Sequence, residues 1–327
     1  MDYAHEEIDK RLKVLEKRIQ REYGKAVKEA QNKLDKYFET FKKNDAIKAQ
    51  KVKDGELTEA EYQEWRKRRF MDGERWQGMR DTLAQEYLNA YKIAESMMLD
   101  FSYEAFALNR NFSMYEMEFE GVDLGSFTMY DKHTVQRLLE DDPDLYHTPG
   151  YKISQAIKEK RITEWNKQHI QSEMLRGILT GESIPNIAKR LPQKVGLYNI
   201  HSAVRDARTI TTGAENAGRV DGYKYAQNLG IKVKQMWMAT LDGRTRHSHR
   251  QLDGEKITVG GKFSNGCRYP GDPEGKAEEI YNCRCTLVGV VKGSDVDLYG
   301  INGFDRWQRL DGQSYEEWRK AHEGSNR

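Results

Sequence analysis

Cysteine is almost absent from this chain of 327 residues: there are three, and two of them, Cys283 and Cys285, stand one residue apart. Such a count excludes a disulfide framework, and a bridge between positions i and i+2 would be strained. Proline is scarce too, with six in the whole chain, which leaves long helices uninterrupted. No apolar run approaches the roughly 18 residues that a membrane span needs. The opening residues Met1-Asp-Tyr-Ala-His-Glu-Glu lack a basic-then-apolar leader. The expectation is a soluble protein of a reducing compartment with no membrane segment. An excess of one charge is also missing, since 54 Lys and Arg stand against 52 Asp and Glu, a formal net charge of +2. Any attraction to nucleic acid must therefore come from local patches.

What is abundant is charge of both signs. Charged residues make up 32% and hydrophobic residues 37% of the chain, with a mean hydropathy of −0.90. That balance suits long solvated helices better than one large core, and the length allows two or three units. From Ile8 the apolar positions are Ile8, Leu12, Leu15, Ile19, Tyr23, Ala26, Ala30, Leu34, Tyr37 and Phe41. Their steps of four and three repeat every eleven residues, the period of a straight or slightly right-handed helix with one narrow apolar stripe. That stripe fits a helix in a bundle better than a coiled coil between chains.

Asp54-Gly55 marks a break, and Thr58-Glu-Ala-Glu61 has the form of a capping box. Arg66, Lys67, Arg68 and Arg69 follow among Tyr62, Trp65 and Phe70. Such a run can grip phosphate and stack bases, so these four residues are candidate DNA contacts; snorkelling stems on a helix edge give the same pattern and are commoner. Trp76, Leu83, Tyr87, Tyr91, Ala94, Met98 and Phe101 keep helical spacing, so residues 1–130 read as a long helical hairpin or arm. Within it, residues 109–130 lose the period and read as irregular or strand-like. Residues 131–235 form a helical middle region: short helices at Lys132–Leu139 and Lys152–Glu159, a longer one from Ile162 to Thr180 closed by Gly181, a short one from Ser183 toward Leu191, and an Ala/Gly/Thr-rich helix from Ala203. Ile231–Met238 alternates like a strand, and the run Thr286–Val291 reads as a second strand. Residues 236–292 then form a small α+β module, and 293–327 a tail with Gly-rich turns and one short helix from Ser314. The fold class is mainly α with this small α+β module near its C-terminal end.

The module holds the densest chemistry. Trp237-Met-Ala-Thr-Leu-Asp-Gly-Arg-Thr-Arg-His-Ser-His249 is followed by Asp253-Gly254, a turn-rich loop around Cys267, and Tyr281-Asn-Cys-Arg-Cys285. On a strand, Cys283 and Cys285 would project to one face and could meet one metal ion. A tetrahedral zinc site needs more donors; His249 or His247 offers a nitrogen, and Asp242 or Cys267 a fourth ligand. The spacing matches no standard finger, and small buried cysteines beside surface histidines would read the same way. The metal set weighed is His249, Cys283, Cys285 and Asp242, with zinc in a structural role. Arg244, Arg246 and His247 can bind phosphate or pair with Asp242 and Asp253, of which pairing is commoner in tight turns.

The combination Trp237-x4-Asp242-x-Arg244-Thr-Arg246-x2-His249-x3-Asp253-Gly254, then Tyr269-Pro-Gly-Asp-Pro273, then Asn282-Cys-Arg-Cys285 resembles the C-terminal domain of phage head morphogenesis (minor capsid) proteins, the relatives of Mu F. The likeness covers roughly residues 165 to 290 and includes Ala207-Arg208-Thr209. Some family members resemble a Cys-x2-Cys pair at the places held here by Arg246 and His249, which supports His249 as a ligand and leaves Arg246 without that role. Ile210 stands where the family often has glutamate. The resemblance implies a low-copy, non-enzymatic protein inside the virion head, present in host cytoplasm during assembly. It implies association with the portal, with the major capsid or a scaffolding protein as further partners, and a role in head assembly, DNA packaging or DNA delivery. The alternatives weighed are a metal-dependent nuclease using His247, His249 and Asp242, and an ejection protein that binds viral DNA nonspecifically.

Overall fold

The computed structural model describes residues 2–39, 41–71, 73–141, 154–291 and 312–324. In chain order the helices are α1 (Tyr3–Glu39), α2 (Lys42–Lys53), α3 (Glu59–Met71), α4 (Glu74–Phe119), α5 (Lys132–Asp141), α6 (Gln155–Leu179) and α7 (Ile184–Asn228). Strand β1 (Val233–Met238), helix α8 (His247–Leu252), strand β2 (Lys256–Thr258), helix α9 (Ala277–Ile280), strand β3 (Thr286–Val291) and helix α10 (Gly312–Gly324) complete it. The architecture is mainly helical with one small sheet, as the composition and periodicity imply. No helix among the described residues is long and apolar enough to cross a membrane.

The chain forms two compact units. The first comprises the described residues of 1–16, 97–151 and 205–327, and the second those of 17–96 and 152–204. All ten positions of the eleven-residue stripe are buried, Ile8 and Ile19 completely. Each such Ile or Leu stabilises by about 1.5–3 kcal/mol relative to exposure, so the stripe is covered within the chain. In the second unit α1 runs antiparallel to α4, pairing Lys33 with Glu86 and setting Tyr37 against Trp76, ring centroids 6.0 Å apart. The capping box of α3 forms both reciprocal bonds: the Glu61 backbone N–H donates to Thr58 Oγ1 at 3.2 Å, and the Thr58 N–H to Glu61 Oε2 at 2.9 Å. Gly55 and Gly181 adopt φ of 75° and 69°, where glycine carries no steric penalty.

Two sequence expectations are corrected. Residues 109–119 are helical, the last quarter of α4. Their period is lost because residues 109–117 are buried on every side, and a helix without a solvent face shows no amphipathic pattern. The short helix expected to end near Leu191 continues as the 45-residue α7, with Pro192 inside it. A proline there costs about 3 kcal/mol. Burial of Ile184, Ile187, Ala188, Leu191 and Val195 offsets it, and Tyr87 donates its hydroxyl to the Pro192 carbonyl at 2.8 Å. The Gly-rich turns expected after residue 292, and the first residues of the helix expected from Lys152, lie outside the described residues.

In the first unit β1 is the middle strand of an antiparallel sheet ordered β2-β1-β3. Met236 faces Lys256 on one side and Val288 on the other. The strand β2 has no expected counterpart in the sequence; three residues are too few for alternation to register. Helix α10 brings Tyr315 to a cluster with Ala4, Phe112 and Tyr115, and Trp318 donates to Glu118 at 2.6 Å.

Candidate metal centre

The first unit's part of α7, which starts at Arg205, carries a polar stripe on an otherwise small-residue helix. Thr209, Thr212, Asn216 and Arg219 are spaced by three, four and three residues, so they share one face. They grip the backbone that carries the cysteine pair. The Asn282 N–H donates to Thr209 Oγ1 at 3.3 Å, and Thr212 Oγ1 donates to the Cys283 carbonyl at 2.7 Å. Asn216 accepts from the Leu287 N–H at 2.8 Å and donates to the Cys285 carbonyl at 3.3 Å. Arg219 donates to the Leu287 carbonyl at 3.0 Å. Sequence reasoning named Thr209 only within the family likeness and missed Thr212, Asn216 and Arg219; the signal was their single-face spacing in an Ala- and Gly-rich helix.

Held in this way, Cys283 and Cys285 lie just before β3 rather than on it, which corrects the strand placement. Asn282 takes φ of 53°, a left-handed turn that asparagine tolerates better than most residues. From the other side, His249 on α8 approaches both sulfurs through Nδ1, at 3.6 Å from Cys283 Sγ and 3.4 Å from Cys285 Sγ. All three side chains are buried, and the three donor atoms lie within 4.8 Å of one another. The other ring nitrogen, Nε2, is 3.1 Å from Glu279 Oε2 on α9. Asn265 donates to that same carboxylate oxygen at 3.1 Å. Trp237 of β1 packs edge-on to the imidazole with centroids 5.3 Å apart. The ring is therefore fixed on two sides, which sets the face it offers to sulfur.

A hydrogen bond from the Cys283 thiol, with help from His249, holds Cys285 below the usual thiol value against its burial. The same bond, with burial, pushes Cys283 well above the usual thiol value. All three cysteines are free. A cavity of about 20 Å³ adjoins the three donors, with Thr240, Arg244 and Arg246 among its walls.

Asp242 is not brought into this group. Its carboxylate takes a two-pronged bond from Arg284 at 2.6 and 2.7 Å. That bond and the Arg244 N–H hold its pKa well below the usual carboxylate range. Here it closes the turn between β1 and α8. Cys267 is also buried elsewhere, its N–H on Asn265 Oδ1 at 3.1 Å, and His247 is exposed. Arg246 donates to the Tyr281 carbonyl, whereas Arg244 is 81% exposed beside Asp242. Asp253 accepts from the Ala239 N–H at 2.9 Å, and Gly254 donates to the Trp237 carbonyl at 2.9 Å with φ of 82°. These motif residues shape the loop that delivers His249.

The basic run lies on α3 in the second unit. Arg66 is turned inward, donating to the Glu182 carbonyl at 2.6 Å with its guanidinium over Tyr62. Lys67, Arg68 and Arg69 are exposed; Arg68 pairs with Glu64 at 3.0 Å, and Arg69 lies over the Phe41 ring.

Comparison with known proteins agrees with the motif in its extent. Residues 168–288 match the family described as Phage Mu protein F like protein. The chain is 27% identical to the minor head protein of Bacillus phage SPP1 over 336 aligned positions, covering 98% of each. It is 31% identical over 153 residues to an NAD(+)–arginine ADP-ribosyltransferase of Enterococcus faecalis, a match covering 46% of this chain and 31% of that protein. An uncharacterized protein of Bacillus subtilis is 25% identical over 206 residues, 56% of this chain and 64% of that protein. The chain thus spans about a third of the transferase it matches. No solved structure matches.

Proposed function

We propose that this chain, a phage minor head protein whose residues 168–288 match the Mu F-like family, associates with the portal inside the head and acts in head assembly, DNA packaging or DNA delivery. The observation that carries this reading is the end-to-end alignment with the SPP1 minor head protein, 98% of both chains. Similarity confined to the small module would speak only for a shared domain; here the long helices align as well.

The physical character of the chain supports a role through protein contacts. Its net charge is +2, so a general electrostatic hold on DNA would be weak and strongly reduced by salt. Within the basic run Arg66 is committed to the fold, which leaves three exposed cations for any DNA contact. We read the chain as structural rather than catalytic. Asp242 is engaged by Arg284 and His247 stands apart on the surface, so the nuclease trio is not assembled. The greater part of the transferase's length lies outside the match, which supports the non-catalytic reading.

Sedimentation of the purified full chain with purified portal rings is the direct test, alongside mass spectrometry of washed virions. Co-sedimentation and presence in virions are expected. A chain that neither binds portal rings nor appears in virions would sink the reading.

A further inference from the structure

We propose that His249, Cys283 and Cys285 bind one zinc ion through Nδ1 and the two sulfurs, with the fourth coordination position left to a water-sized ligand from the adjoining cavity rather than to a side chain. The inference stands independently of portal association.

The distances fit an ion at the centre of the group. Bonds of about 2.3 Å to sulfur and about 2.0–2.1 Å to nitrogen imply N···S edges of roughly 3.5 Å in a tetrahedron. The observed edges are 3.4 and 3.6 Å, before any ion draws the donors together. Two sulfurs and one imidazole are a borderline-soft set suited to zinc, and poor for magnesium or calcium. Glu279 supplies the outer partner that zinc-binding histidines favour: its carboxylate at Nε2 fixes the Nδ1 lone pair toward the sulfurs. Asn265 orients that carboxylate in turn.

The fourth position is the distinguishing part. Among the described residues no other Cys, His, Asp or Glu joins the group. Asp242 is held by Arg284, and Cys267 sits apart. The cavity of about 20 Å³ touches all three donors, and one water needs roughly 10–15 Å³ by this measure. The walls include Arg244 and Arg246, so a small anion is also accommodated. Three protein ligands and one exchangeable position differ from the four-ligand closure of a purely structural zinc site.

The test uses the full chain, loaded with zinc and desalted, with metal measured by elemental analysis. One ion per chain is expected, retained in Cys267→Ser and lost in Cys285→Ser. Because Cys285→Ser can perturb folding, Glu279→Gln is the companion variant: an unchanged circular dichroism spectrum and zinc affinity weakened about 10–100-fold are expected. Replacing zinc by cobalt(II) should give a tetrahedral visible spectrum with thiolate charge-transfer bands, and added azide should alter it. A loaded chain that retains no stoichiometric zinc, or a Cys267→Ser variant that loses it, overturns the ligand set. A cobalt spectrum indifferent to azide overturns the open position.

Discussion

Arg219 and Asp2, 217 positions apart, form an ion pair at 2.7 Å in which neither side chain has any exposed surface. Asn109 accepts from Arg219 Nε at 2.9 Å, and the Glu116 carboxylate lies 3.5 Å from its Nη1. The guanidinium also reaches the Leu287 carbonyl. A single arginine thus joins the start of α1, the last quarter of α4 and the strand beyond the cysteine pair. Replacing it with Met leaves buried carboxylates uncompensated and should cost about 3–5 kcal/mol in urea unfolding. The double variant Arg219→Met/Asp2→Asn should lose less than the two single losses added together. Strict additivity would mean that the pair is not coupled.

His5 neighbours this network. Burial opposes its charged form, but the Glu215 carboxylate 2.9 Å away and Asp2 carry its pKa up to about 9. Unfolded, the group titrates near 6.5. A folded value above the unfolded one means the stabilisation is complete below about pH 6.5 and disappears as pH rises through about 9. Wild type should therefore exceed His5→Gln in unfolding free energy by more at pH 6 than at pH 9.5, by an amount on the order of 2–3 kcal/mol. An equal gap at both pH values would refute the assignment.

Helices α4 and α7 touch through glycine in the first unit. A Cβ on Gly218 would stand 2.3 Å from the Phe106 carbonyl oxygen and 3.1 Å from the Arg110 nitrogen. Backbone cannot yield as a side-chain tip can, so Gly218→Ala should destabilise by about 1–3 kcal/mol, although alanine is the better helix former. Gly24 on α1 has nothing within 4 Å of its would-be Cβ, and Gly24→Ala should stabilise by about 0.5–1 kcal/mol. Opposite signs in thermal unfolding are the expected result; two changes of the same sign would contradict the close approach.

Asn216 closes the ladder between α7 and the cysteine segment. Asn216→Leu orphans the buried Leu287 N–H, at a cost of about 1–3 kcal/mol. Amide exchange at Leu287 should accelerate in the variant while exchange in α3, which belongs to the other unit, stays as it was. Unchanged protection at Leu287 would show that another acceptor holds it.

Helix content was legible wherever a helix kept one wet face. The stripe from Ile8 to Phe41, the capping box at Thr58 and the breaks at Gly55 and Gly181 are all local signals, and each appears in the fold. The signal failed at residues 109–119, where burial on all sides erased the period, and at Pro192, where packing outweighed a local preference. Strand β1 was readable from alternation and β3 from its apolar run, whereas β2 was too short to show either.

The candidate centre divides along the same line. Sequence alone marked His249, Cys283 and Cys285 as candidate donors, beside His247, Asp242 and Cys267, and the family motif around them, because residue chemistry and short spacings are written along the chain. Only the tertiary structure decided that His249 Nδ1 faces both sulfurs across 34 and 36 intervening steps, that Asp242 goes to Arg284, and that Glu279 backs the imidazole. Periodicity reports which face of an element seeks cover. Which distant group supplies that cover follows from how the packed elements meet, and nothing within a few residues of either partner encodes it.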